Sequence, residues 1–306
     1  FVGTDYQLPK PERERPEKIA VVGAGPAGLM CAYELRQRGY QPVIYEALPM
    51  AGGMLTVGIP KFRLPREVIA TEIGKLAEIG IEFRFNTRVG RDITLEQLRT
   101  QHAAVFLGIG AHVERKLGVP GEALQNVWGG LEFLRQINLT GPTPLNGTVL
   151  VIGGGNSAID AARTAWRCGA KEVRIVYRRT RAEMPADPAE VRAAEEEGVQ
   201  MDYLAAPTRF LDAGGKVRAV ECLRMRLGDP DASGRRAPVP IPGSEFEVAC
   251  DAVIVTVGQS PDSVALGARL GLELTPWGTF NADAVTLQSA LGNVFFGGEC
   301  FTGPDV

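Results

Sequence analysis

Two glycine-rich turns, about 130 residues apart, carry the residue types and spacing most suited to chemistry. The first follows the apolar run Lys18-Ile-Ala-Val-Val22 and reads Gly23-Ala-Gly25-Pro26-Ala27-Gly28. Gly23 permits a tight turn, Gly25 lets backbone approach a pyrophosphate, and Gly28 lets a helix lie close on a strand. Apolar or small residues then recur at Gly28, Cys31, Ala32 and Leu35, the spacing of a helix face. That helix would offer its free N–H groups and partial positive charge to the phosphates. A second apolar strand, Pro42-Val-Ile-Tyr45, ends at Glu46, which is placed to accept hydrogen bonds from an adenosine ribose. Strand, glycines, helix, strand and terminal acid together form a far more specific signal than the glycines alone.

The second copy runs from Thr148-Val-Leu-Val-Ile152 through Gly153-Gly-Gly155-Asn156-Ser157-Ala158, with Ala158, Ala161, Ala162 and Ala165 on the buried helix face. Its next strand, Glu172-Val-Arg-Ile-Val-Tyr177, ends differently, on Arg178 and Arg179 with Arg181 just beyond. A ribose bearing a 2′-phosphate calls for guanidinium forks, and a carboxylate there would repel it. The competing view is an ordinary solvated strand end, and the replacement of the first copy's acid by arginine weighs against it. The first site therefore suits FAD and the second NADPH. Asp160, inside the second helix, is read as structural rather than as a base. Glu195-Glu-Glu197 is read as a solvated helix face.

The rest of the composition narrows the field. Of 306 residues, 45% are hydrophobic and 23% charged, an ordinary globular balance long enough for two domains. A formal net charge of −3 gives no basic field for nucleic acid or acidic lipid. No apolar run reaches the ~18 residues of a membrane span. Glycine, at 37 residues or about 12% against a usual ~7%, points to many close backbone approaches. Cys31, Cys168, Cys222, Cys250 and Cys300 form no CxxC or CxxxxC dithiol and no metal-ligand spacing, so disulfide-reductase chemistry and a metal site are not expected. His102 and His112 are the only histidines, which argues against a histidine triad. Free thiols fit a reducing compartment, and the expected location is the cytoplasm. The chain opens on Phe1 with a polar, Pro-rich stretch, the reverse of a signal peptide, and stops at Thr302-Gly303-Pro304-Asp305-Val306. It is expected to be a segment of a longer protein.

Beyond the glycine turns, the residues resemble the glutamate synthase small (beta) subunit family, whose relatives include the flavin module of dihydropyrimidine dehydrogenase and the NADPH-binding subunit of electron-bifurcating transhydrogenases. The match rests on Gly52-Gly-Met-Leu-Thr-Val-Gly-Ile-Pro-Lys-Phe-Arg-Leu-Pro65, Lys116-Leu-Gly-Val-Pro-Gly-Glu122, Gly153 to Asn156 and Ala161 to Thr164. Tyr177-Arg-Arg179 with Glu183-Met-Pro-Ala186, Pro238 to Ser244, and Val257-Gly-Gln259 complete it, in the family's order, from about residue 17 onward. The resemblance implies that Gly53, Met54 and Arg63 flank the FAD and that Gly108-Ile109-Gly110 closes the first part of its domain. It implies that Gly258 and Gln259 end the NADPH domain, and that Gly297, Gly298 and Glu299 reach the ribityl and pyrophosphate region of FAD. Ile109 lacks the hydroxyl of the Thr many relatives carry, and Glu299 stands where they usually have Asp. Members also carry an upstream Cys-rich segment holding iron–sulfur clusters, and a helix after the Thr302-Gly303-Pro304 position whose N-terminus would stabilise reduced flavin. Without that helix, FAD is expected to bind poorly. The implied partner is a larger catalytic subunit or another iron–sulfur electron acceptor.

The expected fold is α/β, with two Rossmann-like domains and the NADPH domain inserted in the FAD domain. Residues 1–16 are assigned to a linker, 17–134 and 265–306 to a discontinuous FAD domain, and 135–264 to the NADPH domain. Leu131–Leu139 is expected to be a helix bridging the two. Arg209–Cys250 is expected to form an antiparallel excursion with a loop at Gly228–Gly234. Hydride transfer from NADPH to flavin needs ring alignment rather than a protein acid or base, so no catalytic side chain is nominated. The leading activity is NADPH oxidation with electrons passed through FAD to clusters or a partner subunit. The alternatives are a ferredoxin:NADP oxidoreductase or bifurcating subunit working toward NADPH, and a nucleotide-sensing or assembly module that does not turn over.

Overall fold

The structure, a computed structural model, describes residues 6–231 and 234–304, the side chains of residues 264, 265 and 268 excepted. The chain begins with β1 (Lys18–Val22), α1 (Pro26–Gln37), β2 (Gln41–Tyr45), α2 (Met54–Val57), α3 (Arg66–Glu78), β3 (Glu82–Arg84), α4 (Leu95–Gln101), β4 (Ala104–Leu107) and β5 (Val113–Glu114). There follow β6 (Val127–Gly129), α5 (Gly130–Thr140), β7 (Thr148–Ile152), α6 (Asn156–Arg167), β8 (Glu172–Tyr177), α7 (Pro188–Glu196) and β9 (Gln200–Tyr203). A run of strands comes next: β10 (Ala205–Ala213), β11 (Lys216–Pro230), β12 (Arg236–Pro240), β13 (Phe246–Ala249) and β14 (Ala252–Val255). The chain closes with β15 (Gln259–Ser260), α8 (Ser263–Leu270), β16 (Val294–Phe296) and α9 (Glu299–Thr302).

Two compact units result, and their make-up bears out the α/β expectation. Among the described residues the first comprises 6–57, 61–113 and 259–304, and the second 58–60 and 114–258. The first is built on a parallel sheet of order β16-β4-β1-β2-β3. Its central strand β1 is apolar without alternation because helices cover both faces, and Ala20 and Val21 are fully buried. Small residues let α1 lie close on the sheet: a Cβ at Gly28 would overlap the Gly23 carbonyl. A stacked Phe280–Phe296 pair, with centroids 4.7 Å apart, fills the opposite side.

The second unit repeats the plan with a parallel sheet of order β6-β14-β7-β8-β9. The antiparallel excursion is present: β11 pairs with β10, β12 and β13. The β11–β12 hairpin closes where Pro230 faces Arg236. Ala232 and Ser233 of its expected loop lie outside the described residues, as do Phe1–Asp5 and Asp305–Val306.

Three boundaries differ from the sequence reading. Residues 114–134 belong to the second unit, not the first. The reason is the short strand β6, which pairs in register with β14 (Val127 with Val253, Gly129 with Val255) and delivers α5 onto α6. Phe133 and Leu134 are accordingly buried among Val149, Ala161 and Ala165, Leu131 is buried too, and the helix expected over Leu131–Leu139 is a piece of the second unit rather than a bridge. At the return, residues 259–264 go with the first unit. The stretch before Glu17 is not a free linker over residues 6–16. The Arg15 N–H donates to the Gly39 carbonyl, Gln37 Nε2 donates to the Pro9 carbonyl, and Arg36 pairs with Glu14 at 2.6 Å.

Candidate dinucleotide-binding sites

Parallel register brings the first set of residues to one end of the first sheet. Val22 lies opposite Tyr45 and Leu107, and Leu107 lies opposite Phe296. The residues that follow each strand, Gly23, Glu46, Gly108 and Gly297, therefore emerge side by side at the carboxyl ends, where open α/β sheets bind ligands. Gly23, at φ +99°, sits so close to the Gly108 carbonyl that a side chain there would overlap it. Gly25 is the N-cap of α1 and no side chain caps that end. Pro26 occupies the first helical position, where a missing N–H costs nothing. The first-turn N–H groups of Ala27 and Gly28 are left for an outside acceptor.

Three further segments close around this helix end. Gly53 adopts φ +53°, and a Cβ on it would stand 2.8 Å from the Gly25 Cα. A Cβ on Gly298 would stand 2.9 Å from the Ala27 Cβ. The next residue, Glu299, brings Oε2 within 3.8 Å of the Cβ position of Gly110. Burial raises the Glu299 pKa, and the neighbouring Ala111 N–H acts against that shift. Met54 is half-buried at the start of α2, next to Gly53, and Arg63 lies half-exposed between α2 and α3. The outcome is a cradle of backbone around an uncapped helix N-terminus that any side chain would fill. Its shape and donors fit a pyrophosphate.

Glu46 is buried, and its carboxylate already serves the turn. Oε2 accepts from the Ala24 N–H at 2.7 Å and Oε1 from the Leu48 N–H at 2.7 Å. A carboxylate has about four acceptor positions, so room remains for ribose hydroxyls. No sequence motif signals this bond to Ala24.

The second unit presents the same end of its sheet. Ile152 lies opposite Val176 and Val255, so Gly153, the residues after β8 and those after β14 come out together. Gly153 is pressed against Thr256 and Gly154 against the Tyr177 ring. Gly155 is an uncapped N-cap of α6. Asn156 and Ser157 are exposed in the first turn, Asn156 Oδ1 accepting from the Asp187 N–H at 2.9 Å, while Ala158 is buried. Asp160 is buried within α6, in keeping with a structural role. The Gly258 carbonyl accepts from the Arg115 N–H at 3.0 Å, and Gln259 begins β15. Arg178 is exposed at the end of β8, whereas Arg179 is buried in an ion pair with Asp231. Thr256 and Asp231 had no motif to tie them to this site, since the one acts through packing and the other over a long sequence distance.

A profile described as pyridine nucleotide-disulphide oxidoreductase matches residues 17–306. The chain belongs to the pyridine nucleotide-disulphide oxidoreductase family. Within that family it is 48% identical over 290 residues to the "NADP(+)-dependent formate dehydrogenase subunit beta" of Moorella thermoacetica, covering 94% of this chain and 41% of that protein. It is 38% identical over 304 residues to the "Putative glutamate synthase [NADPH] small chain" of Cereibacter sphaeroides, covering 96% of this chain and 73% of that one. The resemblance read from the motifs is thereby borne out. The chain spans about two fifths of the length of the formate dehydrogenase beta subunit. Among solved structures, "Mycobacterium tuberculosis FprA in complex with NADPH" superposes with a TM-score of 0.80 at 21% identity, covering 95% of this chain and 80% of that one, a likeness of fold.

The disulphide in the family's name has no counterpart among the described residues. All five cysteines are free, and burial pushes the Cys31 thiol to about 11 and those of Cys222 and Cys250 to about 12. Such thiols stay protonated and inert. Among the described residues no group of three or more His, Cys, Asp or Glu is arranged to hold a metal ion, and no helix is long and apolar enough to cross a membrane.

Proposed function

We propose that the chain is the NADPH-oxidising flavin module of a larger, multi-subunit oxidoreductase, passing electrons to iron–sulfur clusters or a partner subunit. The observation that carries this reading is the contrast between the two otherwise matching sites, a buried carboxylate, Glu46, at the ribose end of one and an exposed guanidinium, Arg178, at the ribose end of the other. A free ribose suits the first and a 2′-phosphate suits the second. FAD, when bound, would supply the conversion of a two-electron hydride from NADPH into single electrons suited to iron–sulfur acceptors.

The chain's own residues bind and orient. The α1 N-terminus, Gly25, Gly53 and Gly298 would take the FAD pyrophosphate, Glu46 the adenosine ribose, and Met54, Arg63, Gly110 and Glu299 would flank the rest. The α6 N-terminus with Gly153, Gly155, Asn156, Ser157 and Ala158 would take the NADPH pyrophosphate, with Gly258 and Gln259 at the far end. Buried, protonated thiols leave no dithiol to receive the electrons within the described residues, which favours an acceptor outside this segment. The names of the relatives place NADP(+) with one beta subunit and NADPH with another, "NADPH-Fe(3+) oxidoreductase subunit beta" of Geobacter sulfurreducens. The direction in which the module works is thus a matter of its partner's potential, and the cytoplasm is where such a partner is proposed to be met.

An anaerobic titration of the FAD-loaded protein with NADPH, and separately with NADH, tests the proposal. The oxidised flavin band should bleach at low NADPH and only at much higher NADH. If FAD is held and neither nucleotide bleaches it, the chain is not an electron-input module.

A further inference from the structure

The two glycine turns are held in different ways. In the first, the Ala24 N–H donates to Glu46 Oε2 at 2.7 Å, and the Ala24 carbonyl accepts from the Gly52 N–H at 2.8 Å. Val22 faces Tyr45 and Ile152 faces Val176, so the residue in register with Glu46 is Tyr177. Tyr177 offers no carboxylate. It is buried, with its ring so close on Gly154 that a Cβ there would overlap it. The Tyr177 hydroxyl donates to the Glu183 carbonyl at 2.8 Å. From Glu183 the chain runs to two further ties. The Ala186 N–H donates to the Gly154 carbonyl at 3.2 Å, and the Asp187 N–H donates to Asn156 Oδ1 at 2.9 Å. The foot of the segment is closed as well, Glu183 Oε2 accepting from the Thr180 N–H at 3.2 Å.

We propose that Tyr177 and the Glu183–Asp187 segment brace the second glycine turn in the place that the Glu46 carboxylate takes in the first, and that they are positioning residues for the pyrophosphate of NADP(H). This rests on the reading of the second site as an NADP(H) site. The need for a brace follows from the residues of the turn. Gly153-Gly154-Gly155 stands where the first copy has Gly23-Ala24-Gly25, and glycine loses more conformational freedom on being fixed than any other residue. A loose turn would have to be ordered as the nucleotide binds, which weakens binding, whereas a turn tied at Gly154 and Asn156 is already in shape. The middle glycine has its own reason, since only a residue without a side chain lets the Tyr177 ring lie flush on the backbone. The Tyr177 hydroxyl proton and the Asp187 N–H are both engaged inside the protein, so they act on the nucleotide through the turn.

Calorimetric titration of the FAD-loaded protein with NADP+, and with adenosine 2′-monophosphate, which lacks the pyrophosphate, tests the brace. Tyr177→Phe keeps the ring and loses one hydrogen bond. It should weaken NADP+ about fivefold and leave adenosine 2′-monophosphate unchanged. At Asp187 a pair of variants separates two duties, because its carboxylate also caps α7, Oδ1 accepting from the Ala189 N–H at 2.7 Å. Its φ of −56° suits proline. Asp187→Pro loses both cap and N–H and should bind NADP+ about fivefold more weakly than Asp187→Ala, which loses only the cap. Should Asp187→Pro not fold, Tyr177→Phe carries the comparison. Equal losses for the two ligands would make the segment a structural support only, and undiminished NADP+ affinity in Tyr177→Phe would show that the turn stands without it. Either result overturns the proposal. A wild-type protein that binds neither ligand overturns the NADP(H) reading itself, and this inference with it.

Discussion

Glu46 illustrates how one side chain can hold a turn and also select its ligand. Its two oxygens take the Ala24 and Leu48 N–H groups, one inside the glycine turn and one just past β2. Replacing it by Gln swaps one anionic acceptor for an amide donor, so one of these buried N–H groups loses its partner. Glu46→Gln should destabilise the protein by about 1–3 kcal/mol and weaken FAD by about tenfold. Thermal unfolding and the flavin retained after gel filtration measure both, and a variant that keeps its flavin and its midpoint would sink this account. Much at this scale was legible beforehand, because a glycine turn, a helix and a terminal acid constrain one another within 24 residues of chain. The burial of Arg179 was not, since its partner Asp231 lies 52 residues away on a hairpin and no local pattern links them.

Between elements, one long-range contact replaces the local capping found elsewhere. Helix α5 starts from Gly129, which has no side chain to cap it. The Glu114 carboxylate, from β5, accepts from the Leu131 N–H instead. Burial raises the Glu114 pKa, with the Leu131 and Glu132 N–H groups opposing the shift. A Cβ on Gly129 would collide with that carboxylate. Gly129→Ala and Glu114→Ala should each cost about 0.5–2 kcal/mol, and the double variant should cost no more than the worse single one. Additive losses measured by denaturant unfolding would show that the two residues act separately.

Helices α6 and α7 are joined by Arg163 and Arg167 on Glu197, with Arg163 also paired to Glu190. The two guanidinium groups lower the Glu197 pKa to about 2 from the usual 4.5. Because the folded value is the lower one, this stabilisation is present above pH ~4.5 and is lost as pH falls toward ~2. Glu197→Gln should therefore lower stability at pH 7 by about 2 kcal/mol and flatten the acid limb of the stability curve. Equal pH profiles for the two proteins would refute it. Glu195-Glu-Glu197 has the pattern of a solvated face, and no local signal links Glu197 to its cations, which lie about one helix earlier in the chain.

On the scale of the molecule, the discontinuous plan was readable from the order of the two glycine units, but its seams were not. Strand β6 has three residues and no alternation, so nothing in Val127-Trp-Gly129 announced that it would pair with β14 and carry residues 114–134 into the second unit. The same plan has a consequence for how the protein is made. The second sheet is complete once β14 has been synthesised, whereas the first must wait for β16 to cover the open side of β4. At ribosomal rates of roughly 5–20 residues per second, β4 then presents an unpaired strand edge for on the order of ten seconds or more. The inserted unit can fold as an autonomous passenger during that interval. The unit that encloses it, bounded by residues from both sides of the insertion, is the one whose nascent edge needs shielding from other chains.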